Sequence, residues 1–134
     1  MKFSGLVATQ GDCMTQVNPK VLVVEDEPLL LMTAIDIVEG AGFEAVSARN
    51  ADEAIRLLES TPDIRILFTD IHMPGSMDGL KLAAAVRERW PPIEIIVASG
   101  MTRPEVTEMP ERSVFFSKPY DPRNVSDALL KFSA

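Results

Sequence analysis

The chain has 134 residues, 46% of them apolar, enough for one domain with a buried core. Its formal net charge of −7 argues against a sequence-independent grip on nucleic acid, which needs a basic face, and against docking on an anionic membrane. A single cysteine, Cys13, excludes a disulfide within the chain, and no run reaches the roughly 18 apolar residues of a membrane span. Residues 1–10 lack the long apolar centre of a signal peptide, so the expected location is cytoplasmic.

Residues 1–19 show no clean periodicity and carry Gly11, Asn18 and Pro19. They read as a flexible leader before a domain spanning 20–134, with Cys13 incidental to it. Val21–Val24 is a short apolar run, the pattern of a strand buried on both faces. Pro28 suits the first turn of a helix, where its missing N–H costs little. The apolar repeat Leu31, Ile35, Val38 gives that helix a core stripe, and Gly40 and Gly42 supply a left-handed cap.

Phe43–Ala48 reads as the second strand. Asn50 with Glu53 three places on forms a variant capping box, opening a helix with Ala54, Leu57 and Leu58 on its core side. Pro62 follows that helix, and Ile64–Thr69 is the third strand, stopping at Asp70. The loop Met73-Pro74-Gly75-Ser76-Met77-Asp78-Gly79 leads to a helix reaching about Arg89, broken by Trp90-Pro91-Pro92. Ile93–Ala98 is the fourth strand, ending at Ser99. Between 100 and 112, Pro104 and Pro110 leave room for one or two helical turns. Ser113–Ser117 is the last strand. Asp121 caps and Pro122 opens a final helix with the stripe Val125, Ala128, Leu129, Phe132. Five βα units imply an α/β fold, a doubly wound parallel sheet with helices on both faces.

Four short pieces end strand-like runs: Glu25-Asp26, Asp70, Ser99 and Lys118-Pro119. Open α/β sheets bind ligands beyond the carboxyl ends of their strands. Three carboxylates, a hydroxyl and an ammonium there would suit a divalent cation and a phosphoryl group, with aspartate as nucleophile. Taken singly, each has a plainer reading. Glu25-Asp26 equally suits a helix cap, Asp70 and Ser99 suit turns, Lys118 a surface, and Phe115 ordinary core.

Taken together, VLVVEDEP, FTDIHMP with a following MDG, ASG and SKPY resemble the receiver domain of two-component response regulators, over about Lys20 to Phe132. The resemblance implies a flavodoxin-like sheet of order 2-1-3-4-5 and assigns roles. Asp70 is the expected phosphorylation site. Asp26 and Glu25, with Asp70 and the backbone carbonyl of His72, are the expected Mg²⁺ ligands, Mn²⁺ being a substitute. Ser99 and Lys118 would bind the phosphoryl group, Pro119 matches a proline commonly cis, and Ser99 and Phe115 would form the switch. His72 and Met101 match the rim positions that tune the phosphoryl lifetime.

The loop after Asp70 is one residue longer than the commonest receiver pattern. The Ser99–Lys118 interval is a few residues shorter, which shortens the fourth helix and puts the usual output face in doubt.

The resulting expectation is a stand-alone phosphorelay switch rather than a turnover enzyme. Its phosphoryl donor would be a sensor histidine kinase or phosphotransfer protein. Its output would be through an unidentified protein partner, a homodimer, or action as a phosphate sink, without DNA or membrane. Two competitors carry less. A hydrolase of the haloacid dehalogenase type needs an acid where His72 stands, and a phosphorylation-independent binding module would not need the full acidic set.

Overall fold

In the computed structural model, which describes residues 19–73, 75, 77–100 and 103–133, strands and helices alternate along the chain. They are β1 (Lys20–Val24), α1 (Pro28–Gly40), β2 (Glu44–Ala48), α2 (Ala51–Ser60), β3 (Ile64–Asp70), α3 (Gly79–Arg89), β4 (Glu94–Ser99), β5 (Ser113–Ser117) and α4 (Pro122–Ser133). Among the described residues between β4 and β5, the one helical segment is a 3-10 turn, Val106–Glu108. It stands where the two prolines leave no room for a longer helix. Among the described residues the strands pair in parallel, in the order β2-β1-β3-β4-β5. The sheet order and the shortened fourth helix agree with the reading from sequence. The expected leader, including Cys13, lies outside the described residues apart from Pro19.

The period-two alternation of strand side chains sorts the core into two layers. Leu22, Val24, Leu67, Ile95 and Val97 meet Ala54 and Leu58 of α2 and Leu82, Ala83 and Val86 of α3. Val21, Val23, Ile66, Phe68 and Ile96 meet Ala34, Ile37 and Val38 of α1 and Val125 and Leu129 of α4. Central strands that serve both layers must be apolar throughout, which explains the unbroken run Val21–Val24, each residue at most 1% exposed.

Helix α1 buries Ala34, Ile37 and Val38, with Leu31 packed beside them, while Ile35 is only half-buried. The stripe Leu31–Ile35–Val38 is therefore corrected. Pro28–Gly40 is apolar nearly all round, so periodicity alone admits more than one core face. Its end behaves as expected at Gly42 (φ +95°). The Gly42 N–H donates to the Glu39 carbonyl at 3.0 Å and the Phe43 N–H to Val38 at 3.2 Å, a Schellman closure. At α2 the Asn50 side chain accepts from the Glu53 N–H at 2.8 Å, and Glu53 reaches back to the Arg49 N–H at 2.8 Å. Trp90 ends α3, with the Arg89 guanidinium 4.4 Å from its ring centroid.

The segment lacking a full helix is tied down at its far end by Arg87. This guanidinium donates to the carbonyls of Pro91 (2.7 Å), Ile93 (2.8 Å), Glu111 (2.9 Å) and Arg112 (3.2 Å). One side chain thus joins the approaches to β4 and β5. Arg87→Ala should lower the unfolding free energy by about 1–3 kcal/mol in a denaturant titration, because four carbonyls, that of Ile93 part-buried, lose a charge-assisted partner. A change under half of that range would mean that water replaces the guanidinium freely.

Candidate functional site

The site lies at the carboxyl ends of β1, β3, β4 and β5. Val24 pairs with Thr69, Asp70 with Ala98 and Ser99 with Ser117, so the residues that follow converge on one edge. Carboxylate oxygens of Glu25, Asp26 and Asp70 lie within 4.8 Å of one another. Glu25 and Asp70 are buried, 6% and 9% exposed, whereas Asp26 faces solvent. Ser99 is buried at the end of β4, and the Lys118 N–H donates to its carbonyl at 2.9 Å.

The Lys118 ammonium reaches Glu25 at 2.8 Å and Asp70 at 3.1 Å. The ammonium thus pairs with Asp70 and, at the shorter distance, with Glu25 as well. Burial pushes the Glu25 carboxyl above its ordinary range; the Lys118 hydrogen bond pulls it down and the Asp70 charge pushes it up. Burial also opposes the charge on Lys118, but its hydrogen bonds to Glu25 and Asp70 prevail and hold it above the usual lysine value. One ammonium against three carboxylates leaves negative charge in a partly buried place. An all-oxygen donor set of that charge fits a hard divalent cation. The peptide between Lys118 and Pro119 is cis.

The remaining candidates sit around this centre. The His72 side chain is exposed, two residues past Asp70. Phe115 is half-buried in β5, with the Arg103 guanidinium 5.4 Å from its ring centroid. Ring and guanidinium share a hollow of about 500 Å³ with Pro104, Met109 and Pro110. Met101 lies outside the described residues.

Several neighbours of the site escaped the sequence reading. Tyr120 packs on Phe68 at 5.8 Å and on Phe116 at 6.5 Å between ring centroids. It lines an apolar hollow of about 320 Å³ with Leu30, Thr33, Lys118 and Pro119. Beside that hollow α1 exposes Leu29 (72%) and Met32 (63%). The signal was present in the sequence, since a helix apolar on every side must show some of its apolar surface to solvent.

Comparison with known proteins gives a consistent result. The family model described as "Response regulator receiver domain" matches residues 21–130. The phyllosphere-induced regulator PhyR of Methylorubrum extorquens is 31% identical over 111 residues, 80% of this chain and 40% of PhyR, so the chain spans less than half of that relative. A response regulator receiver protein from Sinorhizobium medicae superposes with a TM-score of 0.80 at 26% identity, covering 86% of this chain and 94% of that one. The fold is also that of the response regulator protein TrrA from Thermotoga maritima, solved in complex with Mg²⁺-BeF. There the TM-score is 0.74 and the identity 23%, covering 85% of this chain and 98% of that one.

Proposed function

The chain belongs to the response regulator receiver domain family, and from that premise we propose that Asp70 is its phosphoryl acceptor. The observation that carries this reading is the buried cluster in which Lys118 bridges Glu25 and Asp70, at the strand ends where ligands of such sheets bind.

The donor is a phosphohistidine of a sensor kinase or phosphotransfer protein. A carboxylate oxygen of Asp70 attacks phosphorus as the P–N bond of the phosphohistidine breaks, and the imidazole leaves and takes a proton. The product is an acyl phosphate on Asp70. Attack by water at phosphorus later returns the carboxylate and inorganic phosphate. Glu25, Asp26 and Asp70 would hold a divalent cation, Mg²⁺ or Mn²⁺ in its place, with the His72 carbonyl as a further ligand. That cation, when bound, neutralises charge that would otherwise repel the phosphoryl oxygens. Lys118 shifts its hydrogen bond from Asp70 to a phosphoryl oxygen, and the Ser99 hydroxyl donates to another. This pull on Ser99 is read out at Phe115, and His72 and Met101, which match the family's tuning positions, set how readily water attacks.

The domain acts as a switch, and a partner protein that reads the phosphorylated surface carries the output. A donor charged by ATP places this exchange in the cytoplasm. Among the described residues no helix is long and apolar enough to cross a membrane.

A protein donor has to dock beside Asp70, and the apolar hollow at Lys118 and Tyr120, with Leu29 and Met32 next to it, offers that contact. The double variant Leu29→Asp, Met32→Asp should slow transfer from a phosphorylated donor protein by about tenfold or more, since charged groups replace apolar anchors. Its uptake from acetyl phosphate, a small donor, should match the wild type. Equal losses with both donors would move the docking contact elsewhere.

A further inference from the structure

We propose that Gly79 and the Thr69 hydroxyl form a clamp on the Asp70 peptide, making Gly79 a positioning residue for the acceptor; this rests on the reading of Asp70 as acceptor. Gly79 is the first residue of α3, behind the cap Asp78, whose side chain accepts from the Lys81 N–H at 2.9 Å. Nothing in that local structure asks for glycine. Its backbone is not in the left-handed region, and alanine is a far better helix former.

The reason lies in the neighbouring strand. A Cβ on Gly79 would sit 2.0 Å from the Asp70 carbonyl oxygen, 2.8 Å from the Asp70 carbonyl carbon and 2.9 Å from the Ile71 Cα. All three are backbone atoms, which cannot swing aside as a side chain would. The helix start is therefore pressed flat against the peptide that carries the acceptor.

The same peptide is held from other directions. The Thr69 hydroxyl, wholly buried, donates to the Asp70 carbonyl at 2.9 Å. The Ile71 N–H donates to Ala98 at 3.0 Å, and the Gly79 N–H to the Ile71 carbonyl at 2.8 Å. With its backbone fixed on both sides, Asp70 has little freedom except at its side chain. Its carboxylate then falls 3.1 Å from Lys118 and within 4.8 Å of the other two acids. A methyl at position 79 would need about 1 Å of movement to reach even a 3.0 Å contact with the Asp70 oxygen. Misplacement of that size is enough to cost about a hundredfold in rate where reacting atoms must be aligned.

The test compares Gly79→Ala with Val86→Ala, which empties a buried position farther along α3 and destabilises the fold without touching Asp70. Both are checked by circular dichroism and denaturant midpoint. Phosphate uptake is measured against acetyl phosphate concentration with Mg²⁺, and Mn²⁺ affinity separately. Gly79→Ala should lower the saturating uptake rate by about 10- to 100-fold, with little change in half-saturation, and weaken Mn²⁺ binding several-fold. Val86→Ala should keep both within about twofold despite its lower midpoint. A folded Gly79→Ala with wild-type uptake and Mn²⁺ affinity overturns the proposal, as does an equal loss in Val86→Ala. If Gly79→Ala does not fold, Thr69→Val decides, because it keeps the shape and removes only the hydroxyl; wild-type uptake there overturns the clamp. If the wild type takes no phosphate from either acetyl phosphate or a phosphorylated donor protein, the acceptor reading fails, and the Mn²⁺ affinities of wild type and Gly79→Ala (of Thr69→Val, if Gly79→Ala does not fold) judge the clamp on their own.

Discussion

Asp70→Asn should take up no phosphate from acetyl phosphate or from a phosphorylated donor protein, and it should stay folded. The amide has nearly the shape of the carboxylate, so the end of β3 and its pairing with Ala98 persist. What is lost is the nucleophile, since an amide oxygen does not form a stable acyl phosphate. The expected fall is complete within detection, at least about 10³-fold, because an enforced two-step transfer has no second route. Intact mass spectrometry of the variant beside the wild type reads the outcome. Residual uptake above a few per cent would point to another acceptor.

Lys118→Met should produce the second largest effect, and it should show in two measurements. Its ammonium is the only cation among the described residues placed within 4 Å of Glu25 or Asp70. Without it, two buried carboxylates and Asp26 face one another uncompensated. Breaking a buried ion pair by removing one partner costs about 3–5 kcal/mol. The Lys118 side chain is 18% exposed, and solvent screening reduces the expected loss to about 1–3 kcal/mol. Added Mg²⁺ should raise the denaturant midpoint of the variant more than that of the wild type, because a cation supplies the missing charge and binds only the folded site. Phosphate uptake should also fall by about 10²-fold or more, as one charge-stabilising contact to the phosphoryl group is gone. A variant with wild-type stability and no greater response to Mg²⁺ would show that Lys118 does not compensate the acids.

Much of this could be read in the chain before its structure. Apolar runs bounded by turn residues gave all five strands, since Val21–Val24, Ile64–Thr69 and Ile93–Ala98 are too short for helices and too apolar for surface loops. Asn50 and Asp121, read as caps, each precede a helix and accept from a backbone N–H near its start, at 2.8 and 2.9 Å. Because the acids, Ser99 and Lys118 sit at strand ends, parallel pairing alone brings them to one edge.

The rest depended on packing that sequence periodicity does not encode. Helix α1 is apolar on nearly every side, so its choice of Ala34 and Ile37 over Ile35 was set by the sheet beneath it. The preference of Lys118 for Glu25 depends on where a long, rotatable side chain ends, which no spacing rule gives. Gly79 read as part of a loop signature, and its contact with Asp70 exists only once α3 folds back over β3. The role expected of Met101 concerns a residue outside those described.

The central claim is tested most directly by incubating the wild-type protein with acetyl phosphate and Mg²⁺, with and without a chelator, then reducing with borohydride and mapping the peptides. Borohydride converts an aspartyl phosphate to homoserine, so the modified position is marked permanently. A single homoserine at position 70, dependent on Mg²⁺, is the expected result. Phosphate found at another residue, or no modification with either acetyl phosphate or a phosphorylated donor protein, would contradict the account.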